Sequence, residues 1–358
     1  MKRSPRQVST VRLLTIFVSI TTASTFGADI VTRASDGANI RGKFESLSKT
    51  HVVIRQSNDR TEMISTDDIR DIRFDREPPP LQTARSNERS GSYTAAIQQL
   101  QEVRSDYQGS DSRIPVEIDF LIVRCQARLA LADPVAAPTA LQSLQGFLQE
   151  NSDGYRTLES MLLQAELLAG TDAPAAVRLL EQLRGCGVDG FAMRAGVLLG
   201  HTLLDEGKLE QATQIFDKVV QESQDNPAAL STHYDSRLGR AECLWKVNEF
   251  QQSLAELKSL VAEVPDEQQQ TLARAWNKIG DCYRDANQPR AALLAYLHVD
   301  ILYAQSTAEH AEALHQLGPL WQAAGHPDRG RDAQSRLLTQ YPNSKWAPEP
   351  GDQSAISE

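Results

Sequence analysis

The spacing of apolar and polar residues along the chain is of two kinds, and it changes near residue 76. Between residues 29 and 75, apolar side chains stand in short runs that partly alternate with polar ones, as at 52–54. Turn-forming residues at 36–37 and 57–59 separate these runs. The pattern predicts about five short antiparallel strands. So short a segment buries an apolar core only by curling, which predicts a small β barrel over residues 29–76.

A helical periodicity begins at Leu81 and continues to about Pro342, with apolar residues recurring three and four positions apart. The three consecutive prolines at 78–80 predict a stiff, extended linker before the first helix. We therefore predict a second, helical domain over residues 77–346. A helical periodicity that continues over that length is typical of proteins built from internal repeats.

The clearest repeat begins near Ala273. It carries Trp276-x-x-Ile279-Gly280-x-x-Tyr283 and then Ala292-x-x-x-Tyr296. Related patterns stand at residues 199–216, 241–265 and 317–342, and weaker copies lie between residues 91 and 180. They make about seven units, spaced by about 36 to 41 residues. The motif resembles the tetratricopeptide signature, in which Trp-x-x-Leu-Gly-x-x-Tyr is followed by Ala-x-x-x-Phe.

This resemblance implies an all-α, right-handed superhelical solenoid of about seven helix pairs, preceded by the small barrel. No single pair of helices buries its apolar stripes alone, whereas a stack shares one continuous core. The strand segment, "DGANIRGKFESLSKTHVVIRQ … EMISTDDIRDIRF", resembles an Sm-like or SH3-like barrel. From the sequence, the barrel has two possible roles: it caps the first repeat, or it binds a partner separately.

The N-terminus has the features of an export signal. Four basic residues precede an apolar run at 13–20, and small residues follow it. We predict a signal peptide over residues 1–28, cleaved after Ala23, Gly27 or Ala28; the alternative is an uncleaved anchor. Residues 332–347 resemble repeats of periplasmic tetratricopeptide proteins, so we expect a soluble protein of the periplasm or cell envelope. Residues 347–358 are predicted to be a disordered tail.

Charge and cysteine content narrow the classes of function. The formal net charge is −10, and loss of the four basic N-terminal residues makes it more negative. An acidic chain without a basic cluster repels nucleic acid and anionic lipid head groups, and we therefore exclude nucleic-acid binding as a main role and expect no stable membrane insertion after cleavage of the signal peptide. Three of the four cysteines, Cys125, Cys243 and Cys282, lie in helical patterns and are expected to be buried free thiols.

No motif for catalysis, a metal or a cofactor stands out. Residues 185–190 spell G-x-G-x-x-G, but they follow a predicted helix and lack the preceding strand that a dinucleotide site needs, so we interpret them as a turn. His310 and His315 are five residues apart, which does not place two metal ligands on one helix face. We therefore predict a chain that is not an enzyme and needs no cofactor.

The resemblance implies a partner-binding groove lined by the first helix of each unit. Its expected positions are His201, Asp235, Glu242, Trp245, Arg274, Asn277, Asp281, Arg284, His315 and Gln322. Mixed charge with an aromatic anchor suits a peptide or protein segment, although ordinary solvated helix faces remain the alternative. A carboxylate clamp of the co-chaperone type is not expected, because Glu242 and Asp281 stand where that clamp needs an amide.

The predicted function is an exported, non-enzymatic scaffold that holds partner proteins. Two alternatives stay open. One is a structural protein that self-assembles end to end through Trp346. The other is an enzyme accessory, or an enzyme, with a site in the barrel around His51, Asp67, Asp68 and Asp71, although Asp67 and Asp68 are better explained as caps of the turn before Ile69.

Overall fold

A computed structural model describes residues 28–347 of the 358-residue chain. The predicted signal peptide and the predicted tail lie outside the described residues, apart from Ala28 and Ala347 at their edges. Over the described range, no helix has both the length and the apolar character needed to cross a bilayer.

The first part of the chain is an antiparallel sheet of five strands, as predicted. The strands are β1 (Asp29–Arg33), β2 (Asn39–Leu47), β3 (His51–Arg55), β4 (Thr61–Ser65) and β5 (Ile69–Arg73). Their order across the sheet is β4-β3-β2-β1-β5. The long strand β2 pairs with β1 through its first half and with β3 through its second, and its register with β3 shifts between Phe44 and Ser46.

The predicted closure of this sheet into a barrel is not seen. Strands β4 and β5 form the two edges, and a single 3-10 turn at Thr66–Asp68 joins them. The apolar face is covered in another way: its residues, among them Val52, Ile72 and Phe74, belong to the same hydrophobic core as the first helices. Because the helices cover this face, the sheet has no need to close on itself to bury it.

Fourteen α-helices follow within the described range. They are α1 (Pro79–Arg89), α2 (Tyr93–Asp106), α3 (Arg113–Ala132), α4 (Ala137–Glu150), α5 (Thr157–Thr171), α6 (Ala173–Arg184), α7 (Asp189–Asp205), α8 (Leu209–Ser223), α9 (Leu230–Lys246), α10 (Phe250–Glu263), α11 (Gln269–Asp285), α12 (Pro289–Leu302), α13 (Thr307–Ala323) and α14 (Pro327–Gln340). The predicted helical solenoid is thus confirmed at the level of successive helices. The number of repeat units and the hand of the superhelix stay predictions.

The predicted extended linker at 78–80 is wrong for two of its three prolines. Pro78 is extended, but Pro79 and Pro80 form the first turn of α1. The first turn of a helix is where proline fits, because the N–H groups there have no acceptor within the helix and the fixed φ of proline is already helical.

Six of the turns between helices share one feature. The residue two before the next helix has a positive φ, which glycine adopts without strain and asparagine tolerates. Five of these residues, Gly91, Gly207, Asn248, Asn287 and Gly325, lie between an odd-numbered helix and its even-numbered successor. The sixth, Gly187, lies between α6 and α7, so the feature is commonest within odd–even pairs but also occurs between them.

The odd-numbered helices form a continuous layer. Each packs against the next odd-numbered helix as well as against its neighbours along the chain, from α1 through α13. We call this the inner layer, and the even-numbered helices the outer layer.

The sheet rests on the N-terminal half of the inner layer. Asp29 of β1 accepts hydrogen bonds from Arg113 at the start of α3, at 3.1 and 3.3 Å. Far along the chain, Asp67 accepts a hydrogen bond of 2.9 Å from the backbone N–H of Gly190 in the first turn of α7. The sheet thus packs on the solenoid and reaches as far as its seventh helix.

Candidate functional site

The predicted groove residues all lie on inner-layer helices beyond the sheet. Helix α7 carries His201, and α9 carries Asp235, Glu242 and Trp245. Helix α11 carries Arg274, Asn277, Asp281 and Arg284, and α13 carries His315 and Gln322. We call the inner-layer surface of α7, α9, α11 and α13 the inner face.

Side chains on α9 pair across the inner face with side chains on α11. Asp235 forms an ion pair with Arg274, and Glu242 lies 3.0 Å from the ammonium group of Lys278. Burial opposes the charge of Lys278, but the carboxylates of Glu242, Asp281 and Glu312 together outweigh it and raise the pKa of the ammonium group. Both pairs join residues nearly one repeat apart, so each binds one unit to the next.

Trp245 is also held by its neighbours. Its indole Nε1 donates to Asp285 Oδ2 at 3.0 Å, and the ammonium groups of Lys246 and Lys278 lie 4.8 and 5.4 Å from its ring. An indole flanked by two cations is fixed in place and keeps part of its surface open to solvent. Trp245 is therefore a rigid aromatic element of the inner face.

The α11–α13 junction continues the same pattern with hydrogen bonds. The amide of Asn277 donates to the Glu309 carbonyl at 2.9 Å and to Glu312 Oε2 at 3.3 Å. Arg284 donates to Gln316 Oε1 at 2.9 Å. The Oδ1 atom of Asn277 is buried and has no hydrogen-bond partner among residues 28–347, so this position keeps one unused acceptor.

Asp281 and His201 are turned into the helix stack. Asp281 is buried and accepts a hydrogen bond of 2.7 Å from the Tyr296 hydroxyl, and burial raises the pKa of its carboxyl group. The ring of His201 meets Phe216 edge-on at 5.1 Å, and burial, with help from Arg274, lowers the pKa of its imidazole. Both residues therefore support the inner face from behind.

His315 contacts the segment that follows α14. Its Nδ1 lies 3.1 Å from the carbonyl oxygen of Trp346, and the two rings are 5.3 Å apart. Gln322 is exposed near the end of α13. Residues 341–347 thus return toward the inner face, where Lys345 and Trp346 line a cleft of about 200 Å³ together with residues of α9, α11 and α13. We call it the Trp346 cleft.

A larger cleft, of about 870 Å³, opens where the sheet ends on the inner face. Its lining includes the 3-10 turn at Thr66–Asp68, the first residues of α7, and the start of α9. Arg194 is the cation in this lining. It is exposed, its Nε donates to the Gly190 carbonyl at 3.1 Å, and its guanidinium lies 4.4 Å from the Phe191 ring centre. It forms no ion pair with any residue in the range 28–347. We call this the Arg194 cleft.

The pairing partners on the inner face were missed by the sequence reasoning, although a signal for two of them was present. Lys278 follows Glu242 by 36 residues, and Arg274 follows Asp235 by 39. Asp235 and Arg274 occupy the same position of α9 and α11, and Lys278 lies one turn before the α11 position that matches Glu242. Opposite charges about one repeat apart thus predict pairs across neighbouring units. Arg194 on α7 was not among the groove residues singled out from the sequence.

The polar residues of the sheet do not form a site together. Asp67 accepts from Gly190, and Asp68 accepts from the backbone N–H and the hydroxyl of Ser35, at 2.8 and 3.1 Å. The prediction that these two acids cap their own turn is wrong, because each accepts hydrogen bonds from elsewhere in the fold. Asp71 lies 3.2 Å from Arg73, and His51 bonds to Thr50.

Residues 185–188 lie between α6 and α7, which confirms the turn expected for the glycine-rich motif. Cys125, Cys243 and Cys282 are buried, as expected, and burial raises the pKa of the Cys125 thiol to about 12. A thiol in that condition stays protonated at neutral pH and is a poor nucleophile. Within residues 28–347, no group of three or more His, Cys, Asp or Glu side chains is arranged to hold a metal ion.

Comparisons with known proteins agree with this architecture. Residues 203–276 match the model of the tetratricopeptide repeat family. A solved tetratricopeptide repeat protein from Parabacteroides merdae is similar in fold, with a TM-score of 0.54, 14% identity, and coverage of 73% of this chain and 92% of that one. A Rap protein solved in complex with competence and sporulation factor has a TM-score of 0.51 and 13% identity over 75% of this chain and 76% of its own. No curated protein matches the sequence.

Proposed function

We propose that this chain is a non-enzymatic scaffold of the tetratricopeptide type that binds an extended segment of another protein along its inner face. One observation carries the proposal: the Arg194 cleft and the Trp346 cleft lie on the same surface, on helices that pack side by side. The sheet occupies the inner layer further toward the N-terminus, so the available surface begins at α7.

The chemistry of the inner face fits a polypeptide. Along the inner face, the acids of α9 are already paired with the bases of α11, so these side chains offer a fixed polar surface and little net charge. Arg194 offers an exposed guanidinium at one end, and Trp346 offers an aromatic ring at the other. Arginine and tryptophan are the residues that most often dominate binding energy at protein interfaces. The Rap protein of similar fold, which was solved with a bound factor, adds support from a distant relative.

The proposal is tested with peptides selected from a random library on the purified wild-type protein. The inner-face variant is Arg194→Ala with Trp346→Ala, and its matched control is Arg178→Ala with Ile301→Ala on α6 and α12 of the outer layer. We expect the inner-face variant to weaken peptide binding by about tenfold or more, because each anchor typically contributes over 1 kcal/mol. Fluorescence anisotropy gives the dissociation constants.

The control variant should bind the selected peptides as the wild type does. Equal affinity of both double variants would place the binding surface outside the inner face. A library that yields no peptide enriched over bare support would also contradict the proposal.

We further propose that the scaffold works in the cell envelope, and that its helices form about seven tetratricopeptide units in a right-handed superhelix. The N-terminal pattern of basic, apolar and small residues supports export. Edman sequencing of the chain recovered from the exported fraction is expected to begin at Ser24, Ala28 or Asp29. Recovery of the chain only inside the cell, with Lys2 and Arg3 still present, would contradict export.

A further inference from the structure

A third cleft lies away from the inner face, between the sheet and the first helices. It measures about 460 Å³, and its walls come from β1, β2, β5, α1 and α3. Five arginines line it: Arg70, Arg73, Arg85, Arg89 and Arg124. Only two carboxylates, those of Asp71 and Glu88, share the lining. We call it the arginine cleft, and in a chain of net charge −10 it is a local concentration of positive charge.

Glu88 in the lining, and Glu77 and Glu159 outside it, neutralise two of these arginines. Arg124 lies 2.6 Å from Glu88 and 3.0 Å from Glu159. Arg85 donates to both carboxylate oxygens of Glu77, at 3.1 and 3.2 Å. These pairs hold the two guanidinium groups in fixed positions, because several charged partners grip each planar group.

Arg85 nevertheless has an unused donor. Its side chain is only 2% exposed, and its Nε has no hydrogen-bond partner among residues 28–347. The nearest carboxylate oxygen, Oδ1 of Asp71, is 3.7 Å away and so beyond hydrogen-bond distance. A buried N–H without an acceptor costs free energy, and a ligand oxygen in the cleft would remove that cost.

The rim supplies further free donors. Arg70 and Arg89 are exposed, and within the described chain neither forms an ion pair or a side-chain hydrogen bond. Arg73 uses only its Nε, which lies 3.2 Å from Asp71, so its two terminal nitrogens have no partner within residues 28–347. Three guanidinium groups with free N–H donors thus surround one opening, and their mutual repulsion falls when an anion binds between them.

We propose that the arginine cleft binds a phosphate group, either free or as part of a small phosphorylated molecule. A phosphate group carries between one and two negative charges at neutral pH and offers several acceptor oxygens, which matches several converging guanidinium groups better than a single carboxylate does. The volume leaves room for a small organic group beside the phosphate. The site joins residues of the sheet to residues of α1, so a bound phosphate also links these two parts of the fold.

Isothermal titration calorimetry with inorganic phosphate tests this directly, using the full chain at pH 7.5 and constant ionic strength. The test variant is Arg70→Ala with Arg89→Ala. The matched control is Arg178→Ala with Arg290→Ala, which removes the same charge from exposed positions on α6 and α12. We expect saturable binding of one phosphate by the wild type and the control, and at least about tenfold weaker binding by the test variant, because each lost guanidinium removes a charge-assisted hydrogen bond.

Further titrations identify the source of the anion. Glycerol phosphate that binds at least as tightly as inorganic phosphate would support a phosphorylated molecule as ligand, and weaker binding would support free phosphate. Citrate that binds more tightly than both would overturn the assignment to phosphate. The proposal also fails if phosphate gives no saturable heat with the wild type, or if both double variants lose affinity equally, since that would reflect overall charge and no site.

Discussion

Glu117 on α3 carries a charge that the fold surrounds completely. Its side chain is 0% exposed, and its oxygens meet Arg156 at 2.8 and 3.0 Å and the Tyr155 hydroxyl at 2.7 Å. Arg85 lies 3.6 Å away. Burial opposes ionisation of the carboxyl group, but the two arginines outweigh it and hold the pKa of Glu117 below its ordinary value.

Glu117→Gln is therefore expected to destabilise the protein at neutral pH by about 3–5 kcal/mol, because it leaves buried guanidinium charge without its partner. The folded-state pKa is depressed, so the contribution of Glu117 is present above the unfolded pKa, near 4.3, and is lost as pH falls through the folded value. Urea unfolding followed by circular dichroism at pH 7 and at acid pH measures this.

The difference in free energy of unfolding between the wild type and Glu117→Gln should become smaller as the pH is lowered below about 4. The control, Glu181→Gln, changes an exposed carboxylate on α6 and is expected to shift stability by less than about 0.5 kcal/mol. If the free energies of unfolding of the wild type and Glu117→Gln differ by the same amount at both pH values, the charge of Glu117 is not what stabilises the fold.

At the scale of helices, glycine residues determine how closely neighbouring helices approach one another. The ring of Phe216 on α8 lies against Gly200 of α7 and Gly239 of α9. A Cβ on Gly239 would stand 2.3 Å from the Phe216 ring, and one on Gly200 would stand 2.5 Å from it. Gly280 meets the Tyr296 ring in the same way, at 2.6 Å. One aromatic residue of an outer helix therefore fills the space that glycines on inner helices leave.

We expect Gly239→Ala to destabilise the protein by about 1–3 kcal/mol, because the added methyl group overlaps a ring that cannot move freely in the core. Gly146→Ala is the matched control. Gly146 is also inside a helix, α4, but a Cβ there would meet nothing within 4 Å. The control should gain up to about 1 kcal/mol from better helix propensity.

Thermal unfolding of both variants decides between a steric and a backbone effect. Replacing Phe216 with Leu in the Gly239→Ala background should recover part of the loss, since the smaller side chain makes room for the methyl group. Destabilisation of similar size at both glycine positions would contradict close approach as the reason for Gly239.

Most elements were predictable because each repeats a local pattern. The Trp276 to Tyr296 motif marks a helix pair, and the short apolar runs before residue 76 mark the strands. The prolines at 79–80 were misassigned because their composition fits an extended linker and a helical first turn equally well. Barrel closure was not predictable, because the strand pattern does not show that helices share the core of the sheet.

At the scale of the whole molecule, the pattern of a single sequence segment does not predict which residues come together. The arginine cleft joins residues 70 and 73 of a strand with residues 85, 89 and 124 of two helices, so no stretch of sequence appears basic. The inner face was predictable by position but not by chemistry. Asp235 and Glu242 appear available to a partner in the sequence, whereas in the fold they are bound to Arg274 and Lys278 of the next unit.

The bond between Asp67 and Gly190 joins residues 123 positions apart, and this separation sets an order in time. A ribosome adds about 5–20 residues per second, so the turn at 66–68 emerges roughly 6–25 s before its partner exists. The strands and first helices have time to assemble during that interval. A chain that folds while it is being made is therefore expected to seat the sheet on α1 and α3 before the sheet is fastened to α7. The Arg194 cleft is completed later still, because its lining also includes the start of α9.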